Sequence, residues 1–352
     1  IADIDLAGTP YTNWEPIGTY SQPFRGTFDG DGHKISNLTI NRPGQTYVGL
    51  FGNTDNSAVI RNVGLEKANV TGYFNTGGLV GYLRGDIMNS FVEGNVRGSQ
   101  FVGGLAGYNF GRISDSYAEV VVTASSADAG GLAGYNVATI TDSYAAGTVS
   151  TVDYAGGLVG RNDGPIRNSF ATVNVTASDY VGGLAGSSTQ SIERSFATGS
   201  VSGHDWVGGL AGNLNTNGRI TDAYAAGAVT GTQNVGGLVG LLNTSGNITN
   251  AYATGEVNGV SDVGGLVGKH ERGGIFDSYY DSDTTGQDNG PGTPKTTDEL
   301  KRYATFAGWD FKNVWHIHDG QTYPRLRWEK ASWYDYSGFA VQLEEAGDKV
   351  YG

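Results

Sequence analysis

The amino-acid sequence predicts an all-β chain, a right-handed parallel β-helix (β-solenoid) of about nine rungs of ~26 residues, with irregular N-terminal rungs and a C-terminal cap containing a short helix. Three observations carry that prediction. The string Gly-Gly-Leu-(Val/Ala)-Gly starts at Gly77, Gly103, Gly130, Gly156, Gly182, Gly208, Gly236 and Gly264, and a degenerate copy, Gly49-Leu50-Phe51-Gly52, stands one period earlier. Behind each full copy run three further columns: Ile87 to Ile275, a position two residues later that is Asn or Asp in every rung but that of Arg194, and an aromatic from Phe91 to Tyr279 two beyond that. No segment shows 3.6-residue periodicity, and glycine and β-branched residues both penalise helix.

Each element then has a cause. A repeat unit holds three short apolar segments separated by Gly, Asn, Asp and Ser, and no single unit can bury its own apolar side. Stacking like on like, about 4.8 Å apart, buries a continuous core. A propeller blade needs about 40–50 residues, well beyond this period. Glycine suits corners that demand φ > 0 or close backbone approach. The Asn/Asp column suits them too, because those side chains tolerate the left-handed region and can bond to each other up the rod.

Four segments follow along the chain: irregular rungs over 1–47, regular repeats over 48–283, a cap over 284–328, and a tail, linker or pairing strand over 329–352. In the cap, Thr296 and Glu299 are spaced as a capping box, and the aromatics from Trp309 to Trp328 read as a plug over the open edge of the last rung.

Composition removes several function classes. There are 58 glycines but only 8 prolines and no every-third-residue spacing, which excludes collagen. Twenty Tyr, 13 Phe and 6 Trp are too many for a disordered acidic chain. A net charge of −13 disfavours nucleic acid as a partner and admits divalent cations. Cysteine is absent, so disulfides and thiol chemistry are too. No run reaches the ~18 apolar residues of a transmembrane segment. The chain opens at Ile1 without a leader pattern, as expected of a processed or excised product.

The Gly-Gly-Leu-Val-Gly repeats, the Ile-x-Asp-Ser-Tyr-Ala blocks, the entry Gly26-Thr27-Phe28-Asp29-Gly30-Asp31-Gly32 and the stretch from Gly308 to Trp328 resemble the GLUG-motif repeat proteins. That resemblance implies a β-helix in a large secreted or cell-surface bacterial protein. Adhesins, regions beside IgA-specific peptidases and polysaccharide-acting proteins belong to the same group. It supplies no catalytic motif.

For a site, the residues ahead of Gly-Gly in the middle rungs stand out. Asp153-Tyr154, Asp179-Tyr180 and Asp205-Trp206 are equivalent pairs, with Phe101 lying beyond a rung that carries Ala127-Asp128. Stacked, they make a ladder of acids beside a ladder of aromatics: a platform for an extended sugar chain, with carboxylates to accept hydroxyls. The competing reading is an internal aromatic stack, since strict strand alternation puts each aromatic on the side of the core Leu unless a corner intervenes.

Asp281-Ser282-Asp283-Thr284-Thr285-Gly286 resembles the start of a Ca2+ loop, with Asp281 and Asp283 as ligands, but Gly292 stands where a bidentate Glu is required. The Ser column (Ser90 to Ser278) has no recurring His or Lys partner, which leaves serine nucleophiles unsupported. The favoured function is therefore a non-catalytic extracellular scaffold, an adhesin, fibre subunit or surface glycan-binding module. The alternative is a polysaccharide lyase or glycoside hydrolase working through the Asp/aromatic ladder. Self-association through Phe339-Ala340-Val341-Gln342-Leu343 is a third possibility.

Overall fold

A computed structural model describes residues 2–8, 13–243 and 245–329. The strand proposed at 339–343 lies outside the described residues. The chain coils into a parallel β-solenoid. Nine strands, from Phe51–Asn53 to Val267–His270, stack in sequence order as one sheet, and the other flanks merge into a 30-stranded sheet. A bridge from Ile17 to Phe51 adds a tenth level beyond the nine expected.

The rung beginning at Asp153 shows how the repeat folds. Strand Asp153–Gly156 meets a corner at Gly157-Leu158 and continues as Val159–Asn162. A turn leads to Ile166–Arg167, and Asn168 bends the chain into Phe170–Thr176. Every column pairs with itself: Ile140 with Ile166, Tyr144 with Phe170, Val149 with Val175, Gly156 with Gly182. Leu158, Val159 and Ile166 are fully buried, as are their equivalents in neighbouring rungs.

The corner glycines are required by close approach, and the positive φ values lie elsewhere. A Cβ on Gly157 would sit 2.0 Å from the Gly183 carbonyl oxygen and 2.8 Å from Ala171 Cβ. The left-handed conformation goes to the Asn/Asp column, from Asn62 (φ 54°) through Asn168 (φ 45°) to Asp277 (φ 44°). Its side chains bond along the rod: Asn89 Nδ2 donates to Asn62 Oδ1 at 2.7 Å, and Asn168 Nδ2 to Asp142 Oδ1 at 3.1 Å.

Two buried ladders reinforce the stack. In one, each Ser Oγ donates to the carbonyl two residues earlier and accepts the amide of the equivalent residue one rung before, as when Ser169 Oγ donates to Arg167 O (2.7 Å) and accepts from Ser143 N (3.3 Å). The hydroxyls of that column are committed to backbone. In the other, Asn109, Asn136 and Asn162 chain through their side-chain amides at 2.6 and 2.8 Å, and Asn162 donates to Ser188 Oγ at 3.0 Å. All four are fully buried.

The C-terminal segment differs from the expected plug. Residues 293–295 do add a strand to Tyr279–Asp281 at the end of the coil. The capping box is also present, at the start of the short helix Thr297–Leu300. The aromatic cluster, however, lies along the flank. Leu300, Phe306, Trp309, Trp315 and Leu326 pack on the stacked aromatic column, and Trp328 reaches back to Phe196 and Phe170. That column stands outside the coil, with parallel rings 4.8–5.1 Å apart from Tyr117 to Tyr252. It offers far more apolar area than the one open edge, so the cap covers it and takes Tyr224 and Tyr252 out of solvent.

Candidate ligand-binding flank

The aromatics ahead of Gly-Gly occupy a second left-handed column. Phe101 (φ 56°), Tyr154 (54°), Tyr180 (56°) and Trp206 (52°) share it with Asn75, Asp128, Asn234 and Asp262. Asn and Asp accept this conformation readily, whereas a bulky ring there is strained. A left-handed residue also breaks strand alternation. In Asp153–Gly156 the acid and the ring both remain half-buried on the outer side while Ala155 and Gly156 turn inward, and the next two rungs repeat the pattern. The rings are therefore on the exterior flank.

Their faces nevertheless meet each other. Tyr154 and Tyr180 stack at 4.3 Å and 5°, and Tyr180 and Trp206 at 4.4 Å and 25°. The outer face of Tyr154 carries the Arg161 guanidinium at 4.4 Å. Beside the stack, Asp153, Asp179 and Asp205 pair in register. Burial and then the charge of Asp179 push the Asp153 carboxyl above its usual range. His204 Nδ1 stands 3.7 Å from Asp179 Oδ1, and Asp205 Oδ1 accepts from Trp206 N and Asn234 Nδ2.

Phe101 belongs to a different group. It meets Tyr108 at 5.2 Å and 60° and Tyr135 at 5.9 Å. Tyr82, Tyr108 and Tyr135 form an outward column in the nine-stranded sheet, each the residue immediately after Gly-Gly-Leu-(Val/Ala)-Gly. The repeat alignment already contained this signal, and the sequence reading passed over it because the position becomes Arg161, Ser187 and Asn213 in later rungs. Arg161 joins the two groups, lying over Tyr135 at 5.5 Å and pairing at 3.1 Å with Asp128, whose carboxyl is fully buried and shifted upward by that burial. The result is one ribbon of rings along the rod from Tyr20 and Tyr47, through Tyr82, Tyr108 and Tyr135, to Trp206.

Asp281 and Asp283 sit in the cap. Asp281 is fully buried, and its Oδ1 accepts from the amides of Asp283 and Thr284 as the cap of the turn Ser282–Thr285. Its Oδ2 accepts from Thr297 Oγ1 at 2.7 Å and from the Tyr323 hydroxyl. Asp283 Oδ2 accepts from Thr297 N at 2.9 Å. Both oxygens of Asp281 and Oδ2 of Asp283 are thus engaged with protein donors. Among the described residues no three His, Asp or Glu side chains converge as a metal cluster, and no helix is long and apolar enough to cross a membrane.

Comparison with known proteins adds the following. The GLUG motif matches residues 72–97, 98–123, 125–150, 153–176 and 231–258. Halomucin of Haloquadratum walsbyi is 42% identical over 97 residues, 25% of this chain and 1% of that protein. A Gly-rich membrane protein of Evansella cellulosilytica is 39% identical over 76 residues, 20% of this chain and 9% of that protein. The chain therefore spans a small fraction of both relatives. Among solved structures, an immunoglobulin A1 protease of Bacteroides ovatus aligns over 94% of this chain and 85% of its own, at 21% identity and a TM-score of 0.39.

Proposed function

We propose that this chain, five of whose repeats match the GLUG motif, serves as a rigid module of a secreted or cell-surface protein, holding a glycan-binding flank away from its attachment point. The observation that carries this reading is the ribbon of outward-facing rings along one side of the rod. In its C-terminal part the left-handed cost of Tyr154, Tyr180 and Trp206, about 1–2 kcal/mol per residue, is offset by their mutual stacking, which braces the flank. The names of the relatives, a halomucin and a membrane protein, agree with a surface location.

Affinity electrophoresis of the intact chain through gels containing pectic, alginate, xylan and mucin glycans tests it. Retardation by at least one is expected, and free migration through all four would defeat the proposal. A second reading, a polysaccharide lyase or hydrolase, draws support from the raised carboxyl of Asp153 beside Asp179. Incubating the same glycans and assaying for new reducing ends or unsaturated products separates the two. Product formation would replace the scaffold reading.

A further inference from the structure

Parallel stacking and glycan binding compete for the same ring faces. A sugar packs its C–H face on the face of an aromatic ring, and a ring sandwiched between parallel neighbours offers only its edge. Tyr180 has Tyr154 on one face and Trp206 on the other, so the acid/aromatic ladder presents edges, hydroxyls and carboxylates to solvent. The rings nearer the N-terminus are arranged differently. Tyr108 and Phe110 stack as a pair at 4.7 Å and 7°, but Tyr82 meets them at 36° and 43°, Tyr47 meets Tyr82 at 80°, and Tyr108 meets Tyr135 at 60°. Among the described residues no third ring lies parallel on that pair, so Phe110 is not sandwiched as Tyr180 is. Phe110 is 43% exposed and Tyr20 63%.

A cation sits in this cluster. The Arg84 guanidinium lies 5.1 Å from the Tyr82 ring centre and 5.8 Å from that of Tyr20. Among the described residues it makes no ion pair, whereas Arg161 at the other ring group is paired with Asp128 and Arg25 nearby with Asp55. Asp55, paired with Arg25, is within electrostatic reach of Arg84 without forming an ion pair to it, so the guanidinium over the two rings keeps donors for a bidentate acidic group.

Resting on the glycan-binding reading above, we propose that the ligand surface is the cluster of Tyr82, Tyr108 and Phe110 around Arg84. Its ligand is a mostly neutral polysaccharide with sparse carboxylates, since the net charge of −13 repels a dense polyanion: the ring faces left uncovered take the sugar faces and Arg84 takes a carboxylate. The stack of Tyr154, Tyr180 and Trp206 then stiffens the flank without contacting sugar faces.

The test measures binding of the intact chain to glucuronoxylan, a neutral backbone with sparse carboxylates, and to the same polymer after reduction of its carboxyls, by affinity electrophoresis. The unsubstituted chain is expected to prefer the carboxylated form. Tyr82→Ala combined with Phe110→Ala should weaken binding about tenfold or more, and Arg84→Gln should remove the preference between the two polymers. Phe276→Ala, at an exposed ring that belongs to neither ring group, should leave both properties unchanged. Circular dichroism checks that each variant stays folded, and since Phe110 and Arg84 lie outside the core, folding should survive. Loss of binding in Tyr180→Asn with retention in Tyr82→Ala/Phe110→Ala would overturn this placement and leave the glycan-binding reading standing. Equal binding of the two polymers by the unsubstituted chain would overturn the carboxylate specificity. No binding of either would overturn the placement together with its ligand, and the broader reading falls only if the four-glycan screen is also negative.

Discussion

The buried asparagine ladder gives the sharpest quantitative check on the fold. Asn136 accepts from Asn109 Nδ2 at 2.6 Å and donates to Asn162 Oδ1 at 2.8 Å, with all three fully buried. Replacing Asn136 by Leu keeps the heavy-atom count but orphans one buried side-chain donor and one buried side-chain acceptor, and frees the half-buried Ala138 backbone groups that Asn136 also holds. At about 1–3 kcal/mol for each unsatisfied buried group, the cost is about 2–6 kcal/mol. Replacing Asn109, Asn136 and Asn162 together should cost about 1–3 kcal/mol, less than the three single replacements added, because the mutual partners vanish together and only the buried Gly111 N–H, among fully buried donors, loses its bond. The column itself provides the precedent: Leu83 pairs with Asn109 in register, is fully buried, and precedes Ile87 by the same four residues that separate Asn136 from Ile140. Urea unfolding followed by circular dichroism measures both variants, compared at matched m-values. A single substitution costing under about 1 kcal/mol, or a triple variant as damaging as its parts added, would refute this account of the ladder.

Four further outcomes are expected. Leu158→Ala, in the fully buried Leu column, should lose about 3–5 kcal/mol in urea unfolding through the cavity it opens. Tyr180→Asn gives up two ring contacts of about 0.5–1.5 kcal/mol each but relieves left-handed strain of about 1–2, so its thermal midpoint should barely move, whereas Tyr180→Val should fall clearly below it. Asp281→Ala removes the acceptor for four donors in the cap and should expose the aromatic flank, read as a rise in ANS fluorescence at temperatures where the unsubstituted protein shows none. Glu329 is a pH probe: burial lifts its carboxyl to about 7 from an ordinary 4.5, so the folded state holds the proton more tightly. Its contribution is fully present below about pH 4.5 and is lost as pH rises through 7. The stability gap between Glu329→Gln and the unsubstituted protein should therefore widen in favour of Gln by up to about 3 kcal/mol between pH 4.5 and 8. A gap that stays constant with pH would count against it.

The architecture was legible in the sequence because a solenoid makes its longest-range contacts between equivalent positions one period apart. Reading the columns Ile87 to Ile275 and Val96 to Val257 amounts to reading the contact list, and each pairing in register follows from the repeat alone. The Asn/Asp corners were legible for a related reason, since their composition reports a local backbone requirement. The flank where ligand binding is proposed was only half visible. Sequence identified Phe101, Tyr154, Tyr180 and Trp206 as one set, but ring orientation divides them, with Phe101 tilted among Tyr108 and Tyr135 and the other three face to face. Which side of a strand a ring takes depends on one φ angle at the ring itself, and strict alternation assumes that angle away. The position of the cap, along the aromatic flank, was likewise decided by tertiary packing: the aromatic column offers its area only once the rungs are stacked. Periodicity determined what lies above what, and the three-dimensional coil decided which faces remain open to solvent, because exposure depends on neighbours that no single repeat contains.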